Sequence, residues 1–218
     1  LLLELAILAQ PHLEPVAHNI LVSGEGRTLG ERDLIIRDLR SDAVIHVDAT
    51  LKFYLGLNNG HFPGPNPSDT LAIKYQRLAD HQLPLLHHPA TLATFRKLGL
   101  PDVTAQHLFT RGRLFYTADQ TPSPPPQAWP GHERGLWWRA SSLPAGGTWQ
   151  VLSRPQWLTP PAMSDSEEYQ LASNELVDYV QAHHRPTMVV RLDVPNRAGP
   201  AFVVPDQGWP DQPPSPTS

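Results

Sequence analysis

Residues 26–37 read GRTLGERDLIIR and residues 44–55 read VIHVDATLKFYL. Both have the β-branched and aromatic content of strands, yet both carry charge where a buried strand carries valine. Side chains alternate between the two faces of a strand, so the second segment divides cleanly. Ile45, Val47, Ala49, Leu51 and Phe53 form an apolar face expected to pack against helices. Val44, His46, Asp48, Thr50, Lys52 and Tyr54 form the other, with a histidine, a carboxylate, a hydroxyl and an ammonium in a row. In the first segment Glu31 and Asp33 share a face, flanked by Leu29 and Ile35.

The surroundings extend this pair into a meander. Residues 16–23, VAHNILVS, have the apolar content of a third strand, and Gly24 and Gly26 make the turn into residues 27–37. Arg40-Ser41-Asp42 makes the next turn, into 43–55, so three consecutive strands are expected to run antiparallel. Upstream, residues 1–10 read as a helix ending near Pro11. Downstream, the turn-rich 58–67 leads to a helix over 69–83 with Ser68 as its cap. A second helix over 89–98 closes at Gly99 and Pro101, and a strand follows over 105–117.

Beyond a proline-rich loop at 118–135 lie two tryptophan-bearing stretches, RGLWWRASSL and WQVLSRPQWL, expected to pack into a core. A helix over 164–183, capped by Ser164 or Ser166, and strands at 187–194 and 200–205 complete the order. The reading is a mixed α/β fold: a core over 1–117, a strand-rich extension packed on it over 118–210, and a disordered tail at 211–218.

Composition bounds the function. The net charge of −4 argues against a constitutive, non-specific nucleic-acid binder, though it leaves room for one local basic face. The absence of cysteine removes disulfides, thiolate zinc sites and cysteine nucleophiles, and suits a reducing, cytoplasmic setting. The opening LLLELAILAQ has no basic residue before its apolar run and carries Glu4, so it reads as a chain entering mid-helix rather than as a signal peptide. No apolar run reaches the roughly 18 residues of a membrane span, so no membrane partner is expected. The paired histidines His87-His88 and His183-His184 fall at a loop and a helix end, and no H-E-x-x-H spacing occurs. Arg111, Arg113, Arg134 and Arg139, with Trp137 and Trp138 among them, admit either contact with nucleic acid or surface arginines on an aromatic core.

The residues of the two opening strands leave two readings open. One is a half-exposed sheet whose acids and bases pair across strands. The other is a site in which Asp33 and Asp48 hold a hard divalent cation such as Mg²⁺, with Lys52 serving the attacking water or the charge on a phosphate. His46 shares that face and is the one histidine with a candidate role.

GRTLGERDLII and HVDATLKFYLG, together with GPNPSDTLAIKYQRLADHQLPL and the late FVVPDQGWP, closely resemble a bacterial family described as domain of unknown function 1853 (DUF1853). That family is similar to a distant branch of the PD-(D/E)XK nuclease-like superfamily. The resemblance implies a restriction-endonuclease-like core of a helix, three meander strands, a helix and a fourth strand. It also implies a metal-dependent phosphodiesterase acting on nucleic acid, with Asp33 as the acid of the second strand and Lys52 as the lysine of the third. The acid two residues before the lysine is replaced here by Thr50, and Asp48 stands about 7 Å farther along the same face. Glu31, His46, Lys74 and Gln82 are the supporting candidates, and Glu4 is the candidate glutamate of the first helix. The Thr50 departure supports an alternative in which the same fold is catalytically degenerate and binds nucleic acid or protein.

Overall fold

A computed structural model describes residues 7, 9–24, 26–119, 123–158, 170–194 and 199–210. The expected helix over 1–10, Glu4, the caps Ser164 and Ser166, and the tail at 211–218 lie wholly or largely outside the described residues. The fold is mixed α/β and strand-rich. The chain divides into two compact units, residues 1–52 with 73–111, and residues 53–72 with 112–218.

In the first unit the meander forms as its turn residues dictate. Strands β1 (Leu13–Gly24), β2 (Arg27–Asp38) and β3 (Ala43–Leu55) pair in sequence, the first two pairings antiparallel throughout. Gly26 takes a φ of 77° and Asp42 a φ of 56° in the two turns, a region open to glycine and tolerated by aspartate. Strand β4 (Ala105–Tyr116) lies next to β3. The amide of Thr104 donates to the Val44 carbonyl and Gln106 meets His46, so β4 runs in the same direction as β3. A parallel neighbour needs a crossover, and the intervening helices supply it. They are α1 (Leu71–Arg77), a π-helical turn over Leu78–Gln82, α2 (Leu83–Leu85) and α3 (Pro89–Lys97).

The helical segment corrects two expectations. The single helix over 69–83 starts later and is broken in register by the π turn. Ser68 does not cap it, because its amide and hydroxyl both donate to Asn66 Oδ1. By contrast, His88 caps α3, its Nδ1 accepting from the Ala90 amide at 3.2 Å ahead of Pro89 at the first helical position.

Both faces of this sheet are covered. Leu34, Ile36, Ile45 and Val47 pack with Ile7 on one side. On the other, Ile20, Ile35 and Val44 pack with Leu86 and Phe95 of the helical segment. The even-numbered face of β3, through Val44, is beneath the later helical segment, while the odd-numbered face packs with the helical Ile7 and leaves Leu51 exposed.

In the second unit β4 continues into a parallel pairing with β5 (Arg134–Arg139), which pairs parallel with β9 (Ala201–Val204). Antiparallel pairings then add β8 (Thr187–Arg191), β6 (Thr148–Val151) and β7 (Gln170–Ala172). The expected helix over 164–183 is interrupted, because Gln170–Ala172 is drawn into the sheet as a strand and helix α4 (Ser173–His183) begins after it. Its Leu176 and Val180 bury against Trp149, Val189 and Val203. The opposite face is aromatic: Phe115, Trp137, Phe202 and Trp209 pack with Leu55, Leu57 and Met188. The buried indoles satisfy their N–H groups, Trp137 on the Gly56 carbonyl, Trp209 on that of Gly64 and Trp149 on the Ser173 hydroxyl. Arg139 is part of this core's edge, bonding the carbonyls of Pro205 and Trp209, and Arg113 pairs with Glu133. Trp129 alone among the tryptophans is largely exposed, at 77%.

Gly135 shows how closely the parallel strands approach. A Cβ there would lie 2.5 Å from the Phe115 ring and 2.8 Å from the Pro200 carbonyl oxygen. Gly135→Ala is expected to destabilise the protein by about 1–3 kcal/mol through overpacking, seen as a lower urea midpoint with unchanged slope. An unchanged midpoint would show that the strands can separate freely at this point.

Candidate functional site

In the first unit Arg32, His46 and Asp48 come together with Gln106, and Arg32 reaches the helical segment. The β2–β3 register pairs Ile36 with Ile45, Ile35 with His46 and Leu34 with Val47. One step beyond these stand Asp33 and Asp48. Their charges are coupled, for Asp33 pushes the Asp48 pKa upward. Asp48 is buried, and burial is the main reason its pKa is raised. The Arg32 and Lys74 charges and a hydrogen bond from Gln106 act in the opposite direction.

Arg32 is the residue the strand pattern did not single out. It is 1% exposed, and strict alternation would place it on the same face as Leu34. The β1–β2 ladder pairs His18 with Leu34 and Ile20 with Arg32, leaving out Asn19 and Asp33 between them. Asn19 takes a φ of 51° at that point. Across it the faces exchange: Leu34 packs in one cluster, whereas Ile20 packs with Ile35 and Val44 in the other. The irregularity thus turns Arg32 beneath the helices.

There its guanidinium is held on three sides. Nε donates to the Glu31 carbonyl at 2.9 Å, and Nη1 donates to the Gln82 carbonyl at 3.0 Å. Nη1 also lies 3.6 Å from Asp48 Oδ2, an ion-pair contact too long to count as a hydrogen bond. Gln82 closes the π turn, so its carbonyl is delivered by the irregular part of the helix.

His46 is fully buried two residues before Asp48. Burial, assisted by the Arg32 charge, pushes its pKa down to about 4, so the ring is neutral at physiological pH. The Gln106 side-chain amide meets Nδ1 at 3.3 Å. With Gln106 donating there, the ring proton lies on Nε2, 3.4 Å from Asp48 Oδ1. Two buried polar atoms here, Asp48 Oδ2 and His46 Nε2, have no hydrogen-bond partner. Such orphans are uncommon in folded proteins and commonly mark the place of a water or an ion.

The remaining candidates fall as follows. Asp33, Lys52 and Lys74 are half-buried and Glu31 is exposed. Lys74, on α1, is a lysine whose charge acts on Asp48. Gln82 contributes its backbone carbonyl to Arg32, and Glu31 does the same. Among the described residues no group of three or more His, Asp or Glu side chains is placed to hold a metal ion. The available donor set is the carboxylate pair, with one orphaned oxygen on Asp48, and hard oxygen donors of this kind suit Mg²⁺. No helix among the described residues is long and apolar enough to cross a membrane.

A family profile matches residues 1–202. The chain belongs to DUF1853, the family described as a domain of unknown function. No curated protein and no solved structure matches it.

The buried histidine makes a prediction about acid stability. A histidine with pKa about 4 when folded and about 6.5 when unfolded binds its proton first in the unfolded state. Its contribution to stability is therefore full above pH 6.5 and lost as the pH falls towards 4. Lowering the pH from about 7.5 to 4.5 should remove about 2.5 kcal/mol through this residue. His46→Asn, which keeps an acceptor for Gln106, should lose that much less over the same interval in urea titrations. An identical pH dependence in the two proteins would mean that His46 is not buried in the neutral form.

Removal of the Arg32 charge should be costly for a different reason. Arg32→Met leaves Asp48 buried without its counter-charge, and is expected to destabilise by roughly 3–5 kcal/mol at neutral pH. The double variant Arg32→Met/Asp48→Asn should recover part of that loss. Additivity of the two single effects would show that the groups do not interact.

Proposed function

We propose that this protein is a Mg²⁺-dependent phosphodiesterase acting on nucleic acid, with its site on β2 and β3 of the first unit. The observation that carries this reading is the buried Asp48 Oδ2, without a hydrogen-bond partner and electrostatically coupled to Asp33. Two adjacent carboxylates repel one another, and a shared divalent cation relieves that repulsion. Mg²⁺ commonly makes do with one or two carboxylates, completing its shell with water and substrate phosphate. When bound, it would supply charge stabilisation to the phosphoryl oxygens.

The chain's own groups take the other parts. Asp33 and Asp48 hold the cation. Lys74, close enough to act on Asp48, offers positive charge to the phosphate, and Lys52 further along β3 is assigned to the attacking water. His46, oriented by Gln106, stands beside the Asp48 carboxylate with Nε2 3.4 Å from Oδ1. The succession from β1 onward, three meander strands, helices and a fourth strand parallel to β3, supports a PD-(D/E)XK-like core. A cytoplasmic, bacterial setting is part of the same reading.

A second reading rests on Arg32. A guanidinium 3.6 Å from Asp48 Oδ2 supplies a permanent counter-charge, and Thr50 occupies the position of the missing acid. In that case the fold is catalytically degenerate and binds nucleic acid or protein without cleaving it.

Calorimetric titration of Mg²⁺ and Mn²⁺ separates the two. The enzyme reading expects one site in the wild type, lost in Asp33→Asn and in Asp48→Asn, with Mg²⁺-dependent, EDTA-sensitive cleavage of single- or double-stranded DNA or RNA. Absence of metal binding by the wild-type chain sinks it. Retention of a nucleic acid with no cleavage and no metal dependence would establish the second reading.

A further inference from the structure

The second unit contains a cleft unrelated to Asp33 and Asp48. Its volume is about 250 Å³. Leu152, Met188 and Trp157 line it together with Tyr179, Arg154 and Arg185. Among the described residues no acidic side chain lines it, although the chain as a whole carries a net charge of −4.

The aromatic part is held in place before any ligand arrives. The Trp157 indole N–H donates to the Leu152 carbonyl at 3.1 Å. The ring meets Phe53 and Phe202 edge to face, at 5.5 and 5.4 Å between centroids. Trp157 nevertheless remains half-buried, with surface left over for the cleft. Tyr179 is likewise braced, stacked on His183 at 4.0 Å.

The cationic part is uncommitted. Arg154 and Arg185 are exposed, and among the described residues neither guanidinium has an ion pair or side-chain hydrogen bond. This contrasts with Arg113, Arg139 and Arg191 of the same unit, each spent on a carboxylate or carbonyls. Two free guanidiniums beside one cleft favour a doubly charged anion, and arginine matches phosphate through paired N–H donors. A rigid indole beside an apolar floor favours a flat aromatic group, as in base stacking. The volume lies just below the range of drug-sized pockets, which suits one base with its phosphate and is too small for a dinucleotide.

We propose that this cleft binds one nucleotide unit, its base against Trp157 and its phosphate on Arg154 and Arg185. The unit is supplied either by a free nucleoside monophosphate or by one residue of a single strand. The inference uses no residue of the first unit and stands whether or not that unit binds metal.

The test is calorimetry on the full chain in EDTA, which silences any metal-dependent chemistry. The probes are 5′-AMP, adenosine, inorganic phosphate and a single-stranded oligonucleotide of roughly ten residues. Binding of 5′-AMP should exceed that of adenosine and of phosphate by about tenfold or more. Arg154→Ala and Arg185→Ala should each weaken it by about tenfold while keeping the wild-type urea midpoint, since neither side chain supports the fold. Tighter binding of the oligonucleotide than of 5′-AMP identifies a strand as the source; the reverse order identifies the free nucleotide. No binding of either up to roughly 5 mM, affinity unchanged in both arginine variants, or phosphate alone binding as well as 5′-AMP would overturn the proposal.

Discussion

A guanidinium removed from water has to be compensated where it stands, and Arg32 sets that condition for the first unit. Its burial is tolerable because two carbonyls and a carboxylate surround it. One carbonyl comes from its own strand, the other from the π turn, and the carboxylate from the neighbouring strand. The electrostatic character of the site follows. Asp48 is buried yet faces a cation, and His46 is kept neutral by burial and by the same positive charge. Each of these groups would behave differently without the others, so the cluster is a network rather than a set of pairs.

The strands were legible because their signals are local. Alternation, β-branched residues and the glycine and aspartate turns mark β1, β2 and β3, whose observed limits differ from the expected ones by a few residues at most. The helix over 69–83 was legible as helix but not as one interrupted by a π turn, since nothing in LADHQ distinguishes five residues wound wide from five wound normally. The long helix over 164–183 misjudged its start for a tertiary reason. Gln170–Ala172 has no strand pattern of its own and becomes a strand only because β6 offers it an edge.

The site was legible in the same partial way. His46 and Asp48 follow from alternation along β3. Arg32 does not, because the left-handed residue that exchanges the faces, Asn19, lies on another strand. Gln106 carries no signal at all until β4 is known to lie alongside β3 with Thr104 at Val44. The side of the sheet that faces the helices was likewise undecidable from an apolar face alone, since both sides are covered. In the second unit the tryptophans announced a core, but not which of them would stay outside it. Trp129 is exposed in a loop whose proline-rich sequence gives it no strand to pack from.

The π turn makes chain length itself a structural variable. Between Leu71 and Leu85 the helix holds its register with one wide turn, and the last residue of that turn presents its carbonyl to Arg32. Loss of one residue within 78–82 would let the segment wind as an ordinary α-helix and leave everything after it near its present orientation, because five residues of a wide turn and four of an α-helix each sweep about 400°. Leu86 and the cap at His88 would then keep their places over the sheet, and the change would fall on the carbonyl that meets Arg32. The extra residue therefore serves the Arg32 contact rather than the register of the helices that follow.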